Sequence, residues 1–577
     1  MKGCGPIFIE GNKWKFSVWA PELATMSLHI ISPSQAMYPM QKDEEGYFTV
    51  ECDGISENTY YFYQPDDDVD VPDPASHFQP NGVHGCSAVV DHRSFKWHDE
   101  TWRGRALRDL IIYELHIGTF TDTGTFESAI QQLDDLVDLG INAIEIMPVA
   151  QFPGKRNWGY DGVFPYAVQN SYGGPDGLKM LVDACHQKGI AVILDVVYNH
   201  MGPEGNYFNK FGPWFTKAYH VPWGDAINFD QQWSDGVREY FLNNIEHWIT
   251  NYHIDGLRLD AIHTIFDVGA DHILAAFNRR ADKLREKAGR NIFLIAESDL
   301  NDPRILSEYK FDAQWLDDFH HSLYVIVHPD GKKQYEDFGS THQLAKAFKD
   351  GFVSSGGFVK FRKKKYGASS AGIEGDKFVV FIQNHDQVGN RVLGERISSL
   401  IGTRELMVAA AAMILSPYIP MLFMGEEYAE DAPFMYFVDH SDKELIKAVR
   451  EGRKKEFAHM GEHEPKDAQD EKTFLECKLN WNSRGQGKHG KMLQWYMDLI
   501  RLRKSLPAFE KRLIQVSVIA PKCISIYHEE GWYLFFNLSS LEVSYSFEDG
   551  NWQQIFGNEE SSPGKIKPWS VAVYKML

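Results

Sequence analysis

Four short apolar runs in this chain end in carboxylates or histidines, and this feature constrains the fold more than any other. They cover residues 190–200, 256–261, 292–298 and 378–386. Continuous apolar runs of this length are typical of strands buried on both faces, as in a parallel sheet covered by helices. In a (β/α)₈ barrel, the carboxyl ends of all strands meet at one face. The runs therefore predict an α/β fold, a TIM barrel that brings their polar ends together.

Strand and helix patterns alternate along the central part of the chain, as a (β/α)₈ barrel requires. Glycines such as Gly140 and Gly189 follow the helical patterns and are expected helix stops. Eight strands are predicted, at residues 110–116, 141–148, 190–195, 256–260, 292–297, 311–316, 378–384 and 419–424.

The two ends of the 577-residue chain read differently from its centre. Residues 1–92 contain closely spaced strands separated by Pro and Gly, which predicts a β-sandwich. Residues 93–505 are assigned to the barrel, with a loop insertion at 201–229 after the third strand. Short strands return near the end, so a small C-terminal β-domain is predicted for residues 506–577.

Composition limits the partners and the cellular location. A formal net charge of −21 argues against binding to nucleic acid or to an anionic membrane. The six cysteines are scattered without close pairs, which fits neither a zinc site nor a disulfide framework. The N-terminus lacks an apolar signal core, and no stretch reaches the roughly 20 apolar residues of a membrane span. A cytoplasmic protein, either monomer or homodimer, is expected.

The segment around Asp260 has the character of a nucleophile. Side chains alternate along a strand, so Arg258 and Asp260 point to the same face, and the cation favours an ionised carboxylate. Alone, this pair would more often be a structural ion pair. Glu297 has no cation beside it in the sequence, so burial could raise its pKa, as a general acid requires. Two such carboxylates at strand ends favour glycoside cleavage.

The remaining polar strand ends suit a sugar. Asp386 could stabilise positive charge on the ring, and His200 and His385 could donate hydrogen bonds to hydroxyls. Asp195 could bind a hydroxyl or pair with a neighbouring loop, and the sequence leaves both open. A metal is the main rival use of such groups. They come from separate strands, as catalytic groups on a barrel do, so neither a metal nor another cofactor is predicted.

The four signature segments at 195–200, 256–261, 296–298 and 384–386 occur in the order found in the α-amylase superfamily of retaining glycoside hydrolases and transglycosylases, which this chain resembles. The resemblance implies that Asp260 is the nucleophile, Glu297 the acid/base and Asp386 the stabiliser of the transition state. It further implies a sugar subsite, with Tyr160 from the segment 158–161 as a stacking residue. The implied subsite consists of Tyr160, Asp195, His200, Arg258 and His385.

Flanking segments at 113–120, 296–303, 317–321 and 383–391 resemble the trehalose-releasing branch of this superfamily. The implied substrate is malto-oligosyltrehalose, cut at the α-1,4 bond next to its terminal trehalose. Alternatives are glucan branching, which uses the same three carboxylates, and a catalytically silent binding protein. Phe319, His320 and His321 follow the sixth strand and are expected to contact the trehalose unit, although Phe319 in the core with one histidine in the cleft is an equal alternative.

Overall fold

Eight parallel strands close into a barrel at the centre of the protein, which confirms the predicted fold class. The computed structural model describes residues 3–57, 59–66, 69–458, 464–506, 513–547, 550–559 and 564–577. Each barrel strand is hydrogen-bonded to the next, and the eighth pairs with the first. In chain order they are Ile112–Leu115, Ala143–Ile146, Ala191–Val196, Gly256–Leu259, Phe293–Ala296, Ala313–Trp315, Phe378–Val380 and Ile419–Phe423.

Alternation of side chains along these strands divides the core into an inner and an outer part. Ile193, Ile295 and Met421 belong to a compact apolar cluster inside the barrel. Leu257 and Leu259 are fully buried in the larger cluster shared with the surrounding helices. Arg258 lies between these two leucines on the strand, so its side chain points into the barrel. The barrel interior is therefore packed, with polar groups at its carboxyl end.

Helices cover the outside of the barrel. Their starts follow the local sequence: Ser340, for example, caps the helix Thr341–Asp350 in a reciprocal capping box with Gln343. The longer helices are Gly174–Gln187, Ser234–Asn251, Ile273–Ala288, Asp317–Val327, Thr341–Asp350, Thr403–Ile414, Lys443–Phe457 and Gly487–Ser505. The shorter ones are Ile117–Phe120, Phe126–Ile130, Leu133–Leu139, Arg304–Ser307, His385–Gly389, Ile397–Leu400 and Glu471–Leu475. Among the described residues, none of the helices combines the length and apolarity needed to cross a bilayer.

Antiparallel β-structure precedes and follows the barrel. The N-terminal part has two four-stranded sheets, and the rings of Phe16 and Tyr61, one from each sheet, meet at 4.9 Å. The first sheet contains Gly5–Glu10, Lys13–Trp19, Tyr47–Cys52 and Gln41–Lys42, and the second Ala36–Pro39, Met26–Ser32, Tyr60–Pro65 and Ser87–Ala88. The C-terminal sheet contains Ile514–Ala520, Cys523–His528, Trp532–Asn537, Ser570–Met576 and Trp552–Gly557. The exact domain boundaries at 92 and 505 stay predictions.

The predicted insertion after the third barrel strand contains a β-hairpin. Its strands are Phe215–Val221 and Gly224–Ile227, and they pair antiparallel. Trp223 lies in the turn between them, with about half of its surface exposed. The sequence of this stretch shows no clear periodicity, because burial along the hairpin strands does not alternate from one residue to the next.

Candidate active site

One arginine organises the carboxyl end of the barrel. Arg258, on the fourth strand, is almost fully buried, and its guanidinium lies over the Trp315 ring at 4.1 Å. Its Nη1 donates to Asp195 Oδ2 at 2.7 Å and to Asp260 Oδ1 at 2.9 Å. Its Nη2 lies 3.2 Å from Glu297 Oε2. Three carboxylates, from three adjacent strands, thus contact a single cation. The sequence spacing predicts only one of these contacts, that between Arg258 and Asp260.

Asp260 is held from both of its carboxylate oxygens. Oδ1 accepts from Arg258, and Oδ2 accepts from the Asn199 side-chain amide at 3.1 Å. Only 12% of its side chain is exposed. Both partners are hydrogen-bond donors, and together they orient the carboxylate at the strand end. This is the arrangement that a carboxylate nucleophile requires.

Glu297 is a carboxyl group held towards its neutral form. Burial raises its pKa well above the ordinary value, and the charges of Asp260 and Asp386 add to the rise, while Arg258 opposes it. The sequence-based expectation that no cation lies next to Glu297 is corrected here, because Arg258 comes from the neighbouring strand. The backbone N–H of Ala261 donates to Glu297 Oε2 at 2.5 Å from a strained left-handed conformation with φ of 38°.

A chain of hydrogen bonds connects Asp195 to the first barrel strand. The Tyr160 hydroxyl donates to Asp195 Oδ2 at 2.6 Å and lies 2.8 Å from His385 Nε2. His385 Nδ1 is in turn 2.5 Å from Glu114 Oε1. Burial lowers the pKa of His385, but the charges of Glu114 and Asp386 outweigh it and raise the pKa above its ordinary value. A protonated His385 would donate from both nitrogens, to Tyr160 and to Glu114.

Asp195 is a second carboxyl group of this site whose pKa is raised. Burial raises its pKa to about 6, with Asp260 adding to the rise and Arg258 opposing it. Its Oδ1 is buried and has no hydrogen-bond partner within the described protein. A buried acceptor without a partner is unfavourable, and a ligand hydroxyl could satisfy it. The sequence left open whether Asp195 binds a hydroxyl or a loop, and this free oxygen favours the hydroxyl.

Asp386 faces the open side of the site. It is exposed and lies in the first turn of the helix His385–Gly389, whose N-terminus is capped by Asn384. Asn390 donates to Asp386 Oδ1 at 2.5 Å. The charge of Asp386 contributes to the raised pKa of Glu297.

His200 lies beneath the insertion hairpin. Its Nε2 is 3.0 Å from the Tyr160 carbonyl oxygen, and its ring stacks on Trp223 with centroids 4.0 Å apart and planes 7° from parallel. Sequence reasoning did not select Trp223, because nothing in the irregular insertion marks one aromatic residue among several. The stack gives the cleft a flat, half-exposed apolar surface of the kind sugars contact.

The residues after the sixth strand only partly meet the expectation. Phe319 is fully buried, with its ring against Phe348 at 5.1 Å, so the expectation that it lines the cleft is corrected. His320 is also fully buried, and its Nδ1 lies 2.7 Å from the Ile382 carbonyl oxygen. His321 is partly exposed and stacks at 4.1 Å on Tyr335. On the helix Asp317–Val327, successive residues point about 100° apart, so one of the three faces outwards.

Three further acidic residues belong to the site but were not selected from the sequence. Glu114 orients His385, and Glu145 is fully buried on the second strand with neither oxygen hydrogen-bonded within the described protein. Burial raises the pKa of Asp317 to about 7, and the charges of Asp299 and Asp386 contribute. The available signal was a carboxylate inside an otherwise apolar strand, as in both 112–115 and 143–146. Such a residue must face the barrel interior.

Comparisons with known proteins agree with this geometry. A family model described as alpha amylase, catalytic domain, matches residues 98–220. A curated protein of Saccharolobus solfataricus named malto-oligosyltrehalose trehalohydrolase is 46% identical over 546 residues, which cover 92% of each chain. A branching enzyme of Pseudoalteromonas atlantica is 30% identical and covers 47% of this chain. A solved Salmonella typhimurium structure, provisionally described as an alpha amylase, superimposes with a TM-score of 0.93 at 37% identity and covers both chains completely.

The closed barrel, the three carboxylates around Arg258 and the matching catalytic-domain model define an α-amylase-type glycosidase. Identity of 46% across nearly the full length of both chains is far above what the barrel fold alone would give. The chain belongs to the malto-oligosyltrehalose trehalohydrolase family.

Proposed function

We propose that the protein hydrolyses the α-1,4-glucosidic bond adjoining the terminal trehalose of malto-oligosyltrehalose, releasing trehalose and a shortened malto-oligosaccharide. Asp260 and Glu297, both in contact with the single guanidinium of Arg258, carry this proposal. Asp260 accepts hydrogen bonds on both oxygens, as a nucleophile requires, and burial raises the pKa of Glu297, as a general acid requires. The specificity for a trehalose-terminated substrate is supported by the relative named malto-oligosyltrehalose trehalohydrolase, which is 46% identical.

The first chemical step breaks the glycosidic bond with both carboxyl groups. Glu297, whose pKa burial raises, gives its proton to the departing oxygen of the trehalose unit. Asp260 attacks the anomeric carbon and forms a glycosyl ester while the C–O bond breaks. Asp386 lies on the open side of the site and would stabilise positive charge on the ring during this step.

The second step returns the enzyme to its starting state. Water enters as trehalose leaves, and Glu297, now ionised, removes a proton from it. The resulting hydroxide attacks the anomeric carbon and displaces Asp260, so the product keeps the α configuration. Arg258 contacts both carboxylates and stabilises the negative charge as it moves between Asp260 and Glu297.

The sugar whose bond is cut would occupy the subsite between the third, fourth and seventh strands. The free Oδ1 of Asp195 would accept from a sugar hydroxyl. Both nitrogens of His385 and of His200 already have protein partners, so binding of a sugar hydroxyl to either histidine would replace one of these contacts. Tyr160 is partly exposed and would stack on the sugar face. Beyond Glu297, on the leaving-group side, His321 remains the candidate contact for the trehalose unit, because Phe319 and His320 are fully buried.

Product analysis tests the proposal. The protein is incubated separately with malto-oligosyltrehalose and with amylose, and the products are identified by chromatography. Free trehalose from the first substrate is expected, with little change in the second. New α-1,6 linkages in amylose would instead favour the branching alternative, and no product from either would favour a silent binding protein. The Asp260→Asn variant serves as the control for contaminating activities.

We further propose that the protein works in the cytoplasm as a monomer or homodimer, without nucleic acid or membrane partners. Support comes from the net charge of −21 and from six cysteines that are all free thiols, five of them buried. Free buried thiols persist in a reducing compartment. Light scattering of the purified protein would measure the oligomeric state.

A further inference from the structure

Three histidines form a cluster away from the catalytic carboxylates. His77 and His92 belong to the segment around the last N-terminal strand, Ser87–Ala88, and His247 lies on the barrel helix Ser234–Asn251. Each offers one ring nitrogen, and these nitrogens all lie within 4.8 Å of one another. None of these histidines takes part in the site described above. They are far apart in sequence, so a search for closely spaced ligands does not find them.

The geometry points to a binding site for a divalent transition-metal ion such as Zn²⁺ at His77, His92 and His247, with water as the fourth ligand. Imidazole nitrogens are preferred ligands of Zn²⁺, Ni²⁺ and Cu²⁺, whereas Ca²⁺ and Mg²⁺ prefer oxygen. The ion would join the chain leaving the N-terminal sheets to a helix of the barrel. It would therefore act as a structural cross-link.

The distances within the cluster are close to those of a tetrahedral centre. Zn–N bonds of about 2.0–2.1 Å put two ligating nitrogens about 3.4 Å apart. His77 Nδ1 and His92 Nε2 are 3.2 Å apart and are joined by a hydrogen bond, which the ion would replace. The ring centroids of His77 and His247 are 4.6 Å apart, and the candidate ligand atoms of all three residues lie within 4.8 Å of one another, so the rings must move closer together around the ion.

The surroundings of the rings favour metal binding. His77 and His247 are buried and His92 is half-buried, so the cluster lies largely out of contact with bulk water. His247 Nε2 lies 3.0 Å from the Tyr166 carbonyl oxygen, the second contact that commonly orients a ligating imidazole. His92 Nδ1 is buried and has no hydrogen-bond partner in the described part of the chain. Because His92 would ligate through Nε2, Nδ1 would be the nitrogen that carries the proton of the neutral ring.

Two nearby groups oppose the ion and allow the proposal to be tested. Asn251 donates to His247 Nδ1 at 3.1 Å, a contact that ligation through Nδ1 would displace. Lys179 has a buried amine whose charge lowers the pKa of all three histidines, so it would repel a cation. Removing this charge with Lys179→Met should therefore tighten binding of the metal.

The test uses the full-length protein after dialysis against a chelator. Titration with ZnCl₂ by calorimetry should give one site per chain, and Zn²⁺ should raise the Tm. Co²⁺ should give the visible absorption of a tetrahedral centre. His92→Gln should abolish the Co²⁺ spectrum and the Tm rise, while His98→Ala, an exposed histidine outside the cluster, should retain both. Lys179→Met should lower the Kd severalfold.

The same measurements can overturn the proposal. If wild type and His92→Gln bind Zn²⁺ equally and show equal Tm shifts, the ion is bound elsewhere on this acidic surface. If wild type and Lys179→Met both fail to give the Co²⁺ spectrum, the cluster is a neutral packing network between the two parts. Hydrolysis of malto-oligosyltrehalose need not change in any of these variants, so failure here is distinguishable from failure of the proposed function.

Discussion

The two ends of the fourth barrel strand carry the same residue type in opposite electrostatic settings. Asp255 precedes the strand Gly256–Leu259, and Asp260 follows it. Asp255 is fully buried, and each of its oxygens accepts two hydrogen bonds, from Trp102 and Arg290 on Oδ1 and from His186 and the Val192 backbone on Oδ2. At the other end, Asp260, Asp195 and Glu297 share one guanidinium.

These contacts shift two carboxyl pKa values in opposite directions: that of Asp255, before the fourth strand, and that of Glu297, which follows the neighbouring fifth strand. Burial would raise the pKa of Asp255, but its donors, led by His186, outweigh burial and lower it. At the carboxyl end, burial and like charges outweigh Arg258 and raise the pKa of Glu297. A lowered carboxyl pKa stabilises the folded protein at neutral pH, and a raised one destabilises it. Asp255, at the amino end of the fourth strand, thus stabilises the fold, and the reactive carboxyl groups lie at the carboxyl end of the barrel.

The largest effect should come from Asp260→Asn. The amide cannot attack the anomeric carbon, so we expect kcat for malto-oligosyltrehalose to fall by at least about 10⁴-fold. The free energy of unfolding should stay near the wild-type value. Steady-state kinetics and urea denaturation of the same preparation measure both quantities. If the variant keeps more than 1% of wild-type activity, and a contaminating enzyme is not its source, Asp260 is not the nucleophile.

The sequence predicts the contacts at the carboxyl end of this strand better than those at its amino end. The apolar runs predicted all eight strands and the convergence of Arg258 with Asp260, because both follow from the period of a strand. Asp255 was not selected, since its partners come from distant segments that no local pattern connects. Phe319 was misjudged for a related reason: the helical face that meets the core depends on packing against Phe348, which the sequence does not specify.

The next largest effect is expected for Asp255→Asn. Asparagine keeps one acceptor oxygen but removes the negative charge and turns an NH2 group towards the donors on the other side, and breaking a buried charged network in this way costs about 3–5 kcal/mol. The kcat of the folded fraction should stay within about twofold of wild type, because Asp255 is at the opposite end of the strand from the reactive carboxylates. Urea denaturation and active-site titration test this expectation, and a large loss of kcat in fully folded protein would contradict it.

The loss of stability in Asp255→Asn should depend on pH. The partners of His186 raise its pKa above the ordinary 6.5, so its contribution is complete below pH 6.5 and is lost as pH rises through the raised value. The pKa of Asp255 is lowered from 3.8, so its contribution is complete above pH 3.8 and is lost on acidification. The difference in unfolding free energy between wild type and Asp255→Asn should therefore be greatest between pH 3.8 and 6.5.

A smaller effect is expected for Tyr160→Phe at the reactive end. The change removes the hydroxyl between Asp195 and His385 but keeps the ring and its stacking surface. Loss of hydrogen bonds to charged groups costs about 1.5–3 kcal/mol, so kcat/KM should fall by about 10- to 100-fold. Kinetics with a conventional assay suffice. An unchanged kcat/KM would show that the chain of hydrogen bonds from Glu114 through His385 and Tyr160 does not contribute to the reaction.

The smallest effect concerns specificity. We expect His321→Ala to reduce kcat/KM about tenfold for malto-oligosyltrehalose and less for a maltodextrin of equal length, because a lost polar contact penalises the substrate that uses it. His342→Ala, an exposed histidine on the next helix, is the matched control. Equal losses on both substrates would indicate that trehalose recognition lies elsewhere, with the 201–229 insertion as the next region to test.

The contrast between the two ends is tested most directly by neutralising one carboxylate at each end. The measurement is the free energy of unfolding of Asp255→Asn and Glu297→Gln, determined by urea denaturation in parallel with wild type at pH 7. Because the folded protein holds Glu297 at a raised pKa, its ionisation costs stability at this pH, and the neutral glutamine removes that cost. The account predicts opposite signs, with Asp255→Asn less stable than wild type and Glu297→Gln more stable. Destabilisation by both variants would contradict it.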